Sequence, residues 1–135
     1  MAQDLILETT FLVDLEREQH RGGVGPAQRF LERNRKARLH LTQTIAGELA
    51  AGKSLSEREA WESFVAPFRV LRCTLEACWQ FGKTYRYLQR SGQLIGTNDL
   101  WIAATALAHA LPVVTANVEH FRRVPEQDVV AYRSR

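Results

Sequence analysis

The chain has 135 residues, of which 45% are hydrophobic, and it carries a formal net charge of +3. This length and apolar content predict one compact domain over residues 1–135 with a real hydrophobic core. No stretch approaches the ~20 apolar residues that a membrane-spanning helix needs, and the early acids Asp4 and Glu8 argue against a secretory leader. We therefore expect a cytoplasmic protein without membrane association.

In the first part of the chain, short apolar or alternating runs predict strands, and apolar residues at helical spacing predict helices. In chain order these elements are a strand at 5–9, a helix at 11–19, a glycine-rich turn at 21–26, a helix at 27–37 and a strand at 38–42. Thr44 is expected to cap a short helix that ends at Gly52.

The second part continues the alternation. Ser56, followed three residues later by Glu59, has the spacing of a capping box and predicts a helix that ends near Pro67. The following elements are a strand at 68–71, a helix at 74–92, a helix at 98–110 capped by Thr97, a strand at 112–116 and a last strand at 129–133. Strands that alternate with helices predict an α/β domain with a mainly parallel sheet.

Cysteines and aromatic residues are expected to lie in the core of this domain. Cys73 and Cys78 match no zinc-binding spacing, so we interpret them as buried thiols. Trp61, Trp79 and Tyr85 fall at helix positions that predict burial. The sequence therefore predicts no exposed aromatic platform of the kind that binds single-stranded nucleic acid.

Polar residues follow the predicted strands at the points where a functional site is expected. In an open α/β sheet, ligands bind beyond the carboxyl ends of the strands. Glu8 follows the first strand, Glu48 lies in the helix after the second, and Thr115 with Asn117 ends the strand after 98–110. Asp99 begins a helix that must start near the same edge. These side chains are therefore expected to converge.

Each acid also has a structural explanation when it is taken alone. Asp99 suits the positive end of a helix dipole, and Glu48 suits a solvent-facing helix position. Together, clustered carboxylates repel one another, and a divalent cation relieves that repulsion. The histidines are scattered along the chain, so an oxygen-bound Mg²⁺ or Mn²⁺ fits better than zinc.

Three segments resemble motifs of the PIN-domain family. The segment "LILETTFLVDLER" is similar to the opening strand and helix of these domains, and "TQTIAGELAAG" resembles their second acidic motif. The segment "GTNDLWIAATALAHALPVVTANVEHFRRV" resembles their third and fourth motifs and is the most specific of the three. The resemblance covers essentially the whole chain, and the length is similar to that of VapC-type toxins.

The resemblance implies a three-layer α/β/α fold and an Mg²⁺-dependent endoribonuclease. Carried over by position, it implies an acidic metal-binding triad of Glu8, Glu48 and Asp99, with Asn117 as a fourth catalytic residue. Thr115 matches the hydroxyl that positions this corner of the site against the substrate. The resemblance also implies a VapB-like antitoxin partner and a homodimer.

One residue departs from the family pattern. The first acid of PIN domains is normally aspartate, whereas this chain has Glu8, whose extra methylene displaces the carboxylate by roughly 1.5 Å while Mg²⁺ demands near-ideal geometry. The alternative function is therefore a catalytically weakened PIN module that acts by binding RNA or a partner. Asp14 also has a counterpart in the family, and we expect it to support structure.

Basic residues are the expected contacts with RNA phosphates. Arg122 and Arg123 directly follow the fourth motif and are the candidates for substrate binding. A second basic cluster, more simply explained as a solvated surface, consists of Arg29, Arg33, Arg35, Lys36 and Arg38.

Overall fold

The computed structural model describes residues 3–134. Its strands form one sheet in the order β3-β2-β1-β4-β5, and every neighbouring pair is parallel. The strands are β1 (Asp4–Leu7), β2 (Arg38–Thr42), β3 (Arg69–Leu71), β4 (Val113–Thr115) and β5 (Val129–Ala131). The predicted α/β class with a mainly parallel sheet is confirmed.

Helices cover both faces of this sheet. They are α1 (Thr9–Arg21), α2 (Pro26–Arg33), α3 (Gln43–Ala51), α4 (Arg58–Val65), α5 (Leu75–Arg90), α6 (Thr97–His109) and α7 (Val118–Arg122). Leu5, Ile6 and Leu7 are each at most 1% exposed, although successive strand side chains point to opposite faces, so both faces of β1 are covered. Within residues 3–134, no helix is both long enough and apolar enough to span a bilayer.

Three helices begin differently from the prediction. Thr42, rather than Thr44, caps α3, because its hydroxyl at the end of β2 accepts a hydrogen bond of 3.1 Å from the amide of Ile45. The predicted capping box does not form, since α4 begins only after Glu57 and has no side-chain cap. Thr97 is the first residue of α6 rather than its cap.

A buried acid at the start of α2 has a structural explanation. Glu18 is 2% exposed, and its carboxylate accepts hydrogen bonds of 3.0 and 2.9 Å from the amides of Ala27 and Gln28. These amides have no hydrogen-bond partner within the helix, so the carboxylate satisfies them. Its negative charge also interacts favourably with the positive end of the helix dipole. Gly25 leaves the necessary room, because a Cβ there would lie 2.4 Å from the carboxylate of Glu18.

The predicted burial of several α5 residues is wrong. Helix α5 packs mainly against α6 and buries one narrow stripe formed by Ala77, Thr84 and Leu88. The rest of the helix surface faces solvent, so Cys78, Trp79 and Tyr85 are exposed instead of lying in the core, and Cys73, which precedes the helix, is exposed as well. Trp61 of α4 is half-buried, and its indole N–H donates to the carbonyl of Ala46 at 3.0 Å.

Candidate active site

The candidate site lies where the strand order reverses, at the carboxyl ends of β1 and β4. Strands β1 and β4 are neighbours, and the connection after β1 leads to β2 on one side while the connection after β4 leads to β5 on the other. Such a point is where open α/β sheets bind ligands. Glu8 follows β1 directly and its amide donates to the carbonyl of Val114 at 2.9 Å. This pairing sets Glu8 beside Thr115, the last residue of β4.

Two threonine hydroxyls hold the carboxylate of Glu8. Its Oε1 accepts hydrogen bonds of 2.5 Å from Thr115 and 2.7 Å from Thr10, and the residue is only 3% exposed. The same hydroxyls accept from backbone amides, Thr115 from Asn117 at 2.8 Å and Thr10 from Ala116 at 2.9 Å. Since a hydroxyl has one proton to donate, both threonines commit theirs to Glu8. The first acid is therefore fixed to both strand ends.

The other two acids reach the same edge through neighbouring residues. Glu48 of α3 accepts from the Thr9 hydroxyl at 2.6 Å and from the Asn98 amide at 3.2 Å. Thr9 directly precedes Thr10, whose hydroxyl binds Glu8, and Asn98 directly precedes Asp99. The predicted acids thus line one continuous rim that extends from β1 through α3 to the start of α6.

Asp99 and Asn117 meet at a third side chain that the sequence analysis did not single out. The Asn117 amide lies 3.5 Å from Asp99 Oδ2 and 2.8 Å from His120 Nδ1, while His120 Nδ1 lies 3.4 Å from the same carboxylate oxygen. His120 occupies the first turn of α7, three residues after Asn117. This spacing of three residues could have identified His120 from the sequence, because it places the His120 side chain on the same helix face as that of Asn117.

The electrostatic environment of Glu8 favours its protonated form. Burial raises the pKa of this carboxyl above its ordinary value of 4.5, and the negative charge of Asp99 raises it further. The hydrogen bonds from Thr115 and Thr10 lower the pKa and offset part of this effect. An ionised Glu8 therefore costs folding free energy, which a bound cation or a neutral side chain would recover.

We expect Glu8→Gln to raise the free energy of unfolding of the metal-free protein at neutral pH. The folded-state pKa is raised, so the contribution of Glu8 to stability is present in acid and is lost as the pH rises through that pKa. Glutamine can still accept from the threonines but does not ionise. Denaturant unfolding in EDTA from pH 4 to 8 should show an advantage of the variant that grows with pH. Glu119→Gln, at an exposed glutamate of α7, is the control; an equal gain there, or none at Glu8, would contradict the prediction.

The donor set suits a hard divalent cation, although the carboxylates do not form a closed cage. Within residues 3–134, no group of three histidine, cysteine, aspartate or glutamate side chains is close enough to hold a metal ion by itself. Mg²⁺ ordinarily uses one or two carboxylates and completes its shell with water and substrate phosphate. Carboxylate, amide and hydroxyl oxygens at one rim fit that mode of binding.

The residues predicted to bind substrate differ in their surroundings. Thr115 is completely buried, so its hydroxyl positions Glu8 and Asn117 instead of contacting a substrate. Arg123 donates to the carbonyl of Leu94 at 3.3 Å and is partly engaged within the fold. Arg122 is exposed and lines a surface cavity beside the site, together with Arg133.

Asp14 has the structural contacts that were expected of it. Its Oδ2 accepts from the Tyr132 hydroxyl at 2.5 Å and from the Arg133 guanidinium at 2.6 Å, which ties α1 to the end of β5. Arg38, of the basic cluster around α2, forms a two-bond pair with Asp4 at 2.8 and 2.9 Å. That pair lies at the amino ends of β1 and β2, the edge opposite the site, and holds the pKa of Asp4 down at about 2.

Known proteins resemble this chain in sequence and in fold. The sequence profile of the PIN domain family matches residues 5–127. The chain is 36% identical to "Ribonuclease VapC10" of Mycobacterium tuberculosis over 104 residues, which cover 76% of this chain and 77% of that relative. Shorter alignments with three further VapC relatives span roughly half to two thirds of those relatives' lengths.

Solved structures share the fold. The chain superimposes on VapBC-1 from nontypeable Haemophilus influenzae with a TM-score of 0.79 and 25% identity, covering 96% of this chain and 98% of that one. It superimposes on VapBC-5 from Mycobacterium tuberculosis, a member of the VapBC family of toxin-antitoxin systems, with a TM-score of 0.68 and 22% identity over 97% of this chain and 98% of that one. The second likeness shows the fold alone.

Proposed function

Because the chain belongs to the PIN-domain family, in its VapC group, we propose that it is a metal-dependent endoribonuclease acting as the toxin of a toxin–antitoxin pair. The observation that carries this proposal is the acidic rim at the reversal of strand order. Glu8 is fixed to the ends of β1 and β4, and Glu48 and Asp99 reach the same rim from two helices. The proposed reaction is hydrolysis of an RNA phosphodiester bond in the cytoplasm.

We propose that Glu8, Glu48 and Asp99 hold Mg²⁺ or Mn²⁺, with Asn117 beside them. When bound, such an ion lowers the pKa of a coordinated water and neutralises charge on the phosphate under attack. The residues of this chain supply the oxygen ligands and their orientation. Thr10 and Thr115 restrict the rotation of Glu8, and the Asn117 amide restricts Asp99, so the ligands are positioned before the substrate arrives.

Substrate contact is assigned to the basic surface next to this rim. The exposed guanidinium of Arg122 lines the cavity beside Asn117, where a phosphate group would be attracted electrostatically. Arg123 extends this positive surface toward the connection between α5 and α6, since it donates to Leu94. These contacts bind the phosphates of the RNA backbone and do not distinguish between bases.

The partners follow from the same family membership. A VapB-like antitoxin is proposed because solved relatives are VapBC complexes, and a basic side chain of such a partner would be attracted to the acidic rim. A homodimer is also proposed. Val70 on the edge strand β3 and Leu75 at the start of α5 are 43% and 87% exposed, and a second copy would remove these apolar side chains from water.

A catalytically weakened module is the second candidate function. Two observations favour it, the glutamate in place of the usual first aspartate and the spread of the carboxylates, which within residues 3–134 do not gather into one three-ligand group. Such a module would keep the RNA-binding or partner-binding surfaces and lose hydrolysis.

We expect RNA cleavage to require a divalent cation. A purified, antitoxin-free protein should cleave a structured RNA in Mg²⁺ or Mn²⁺ and lose this activity in EDTA, because the proposed ligands are oxygen atoms. Restoring Mg²⁺ after EDTA treatment controls for unfolding. Undiminished cleavage in EDTA would contradict the metal mechanism, and no cleavage with any metal would favour the binding module.

A further inference from the structure

A cavity of about 700 Å³ lies beside the acidic rim, between α7 and the end of the edge strand β5. Cavities of roughly 300–1,000 Å³ are typical of small-molecule and cofactor sites. We name it the β5 pocket, and its lining includes Ala116, Val118, Arg122, Ala131 and Arg133. Val70 and Leu75, which are proposed for self-association, lie at or next to β3, the opposite edge of the sheet, and do not line this pocket.

The β5 pocket continues the candidate active site along the carboxyl edge of the sheet. Ala116 and Val118 are the two chain neighbours of Asn117, whose side-chain amide lies 3.5 Å from Asp99 Oδ2. Ala131 ends β5 and pairs with Thr115, the last residue of β4. The pocket therefore extends the rim from the end of β4 to the end of β5, on the side of the sheet edge where ligands of open α/β folds bind.

Two guanidinium groups line the pocket from different elements. Arg122 is exposed on α7 and takes part in no ion pair within residues 3–134. Arg133 follows β5 and donates from Nη1 to Asp14 at 2.6 Å. A guanidinium has five N–H donors, so Asp14 holds this side chain while other donors stay available to a ligand. The acid of the lining, Glu119, lies 3.9 Å from Arg123, which offsets its charge.

The position of Arg133 is connected to that of the first acid. Asp14 also accepts from the Tyr132 hydroxyl at 2.5 Å, and this hydroxyl lies 3.2 Å from the backbone carbonyl of Thr10. The hydroxyl of Thr10 donates to Glu8 at 2.7 Å. A ligand held by Arg133 is therefore positioned relative to Glu8 by side chains that are already ordered, which lowers the entropic cost of binding.

The remaining lining is apolar and small. Ala116, Val118 and Ala131 leave space beside the two guanidinium groups and offer no charge of their own. A nucleotide has the same division, because its phosphate is anionic while the faces of its base are apolar. An inorganic phosphate ion would use only the cationic part of the pocket.

We propose that the β5 pocket binds one nucleotide of the RNA, next to the phosphodiester bond that is cleaved. The inference rests on the proposed function, since it takes RNA as the substrate. Arg122 and Arg133 contact the phosphate of this nucleotide, and its base packs against the apolar part of the lining. Contacts to phosphate do not distinguish between bases, so the apolar part is where a preference for the size of the base arises.

Titration of mononucleotides in EDTA tests the proposal without cleavage. The probes are AMP and UMP, with inorganic phosphate as the reference, and ¹H–¹⁵N NMR spectra give both the location and the affinity of binding. We expect at least one nucleotide to shift the amide signals of Val118 and Ala131 and to bind more tightly than phosphate. Arg122→Ala should weaken nucleotide and phosphate alike by about tenfold, because it removes a charge-assisted hydrogen bond.

A second variant separates the base from the phosphate. Ala131→Leu fills the apolar part of the pocket and keeps both guanidinium groups, so it should weaken nucleotide binding by about tenfold and leave phosphate binding unchanged. The matched controls are Arg33→Ala and Ala60→Leu, at exposed positions of α2 and α4, which should change neither affinity. The spectrum of each variant also reports whether it is folded.

Three results would overturn the proposal. The first is unchanged nucleotide affinity in either Arg122→Ala or Ala131→Leu. The second is an equal loss of phosphate affinity in Ala131→Leu, since this variant would then have disturbed the arginines instead of the base. The third is phosphate binding that no nucleotide exceeds, which would favour an acidic segment of a partner protein as the occupant.

The outcome is independent of the proposed nuclease activity. A protein that binds a nucleotide in the β5 pocket and cleaves no RNA with any metal would keep this inference and lose the proposed function. Cleavage in Mg²⁺, together with nucleotide binding that neither variant changes, would do the reverse.

Discussion

Asp99→Asn is expected to abolish RNA cleavage while leaving the fold intact. The side chain is 21% exposed at the start of α6, where its carboxylate faces the Asn117 amide and His120. Loss of an outer contact to a metal ligand typically costs about 10–100-fold in activity or metal affinity, so removing a ligand charge should cost at least about 100-fold. Initial rates of cleavage in saturating Mg²⁺ would measure the loss.

The alternative explanation of Asp99 predicts a different result. If Asp99 only stabilises α6 through its interaction with the helix dipole, Asp99→Asn costs about 0.3–1 kcal/mol of stability and leaves cleavage unchanged. Asp128→Asn, at an exposed acid of the loop before β5, is the matched control and should retain full activity. An active, folded Asp99→Asn protein would remove Asp99 from the site.

Glu8→Asp is expected to increase Mg²⁺-dependent cleavage, by up to about 100-fold. In the present chain the longer side chain turns its Oε1 toward the hydroxyls of Thr10 and Thr115, where both hydroxyl protons are committed to it. Glu8→Asp shortens the side chain by one methylene, changes the position of the carboxylate relative to these hydroxyls and introduces the aspartate that PIN domains normally have as their first acid. A misplacement of about 1 Å can cost roughly 100-fold in rate.

Comparing Glu8 and Glu8→Asp proteins on one RNA, across titrations of Mg²⁺ and Mn²⁺, measures this effect. The present chain should depend more on Mn²⁺, because Mg²⁺ demands stricter octahedral geometry. Thr10→Val in the Glu8 background is a useful comparison, since it removes one of the two hydroxyl bonds without changing the acid. A slower Glu8→Asp protein would show that the site has adapted to glutamate.

The fold was predictable because its signals are local and strong. Apolar runs at the positions of β1 and β4, separated by amphipathic segments, determine alternating strands and helices, and the parallel order follows from that alternation. Helix starts were less predictable. Thr42 rather than Thr44 caps α3, because the helix begins directly after the last residue of β2, and sequence patterns do not fix helix ends to the exact residue.

The site was predictable only in part. Four acidic or amide residues were expected at one sheet edge from strand ends and family motifs, whereas the bonds that position them depend on tertiary contacts. Thr10 lies next to Thr115 at 3.3 Å although 105 positions separate them, a proximity that no spacing rule reveals. The exposed face of α5 was missed for a related reason, because helical periodicity identifies two faces but does not tell which one packs.

Glu8, Glu48 and Asp99 are proposed to bind one divalent cation together. The most direct test is an anomalous difference map from crystals of this protein soaked in Mn²⁺. The expected result is a peak at the acidic rim, in contact with carboxylate oxygens of at least two of these residues, and its loss in crystals of Asp99→Asn. Full Mn²⁺ occupancy elsewhere in the crystal with no peak at this rim would contradict the claim.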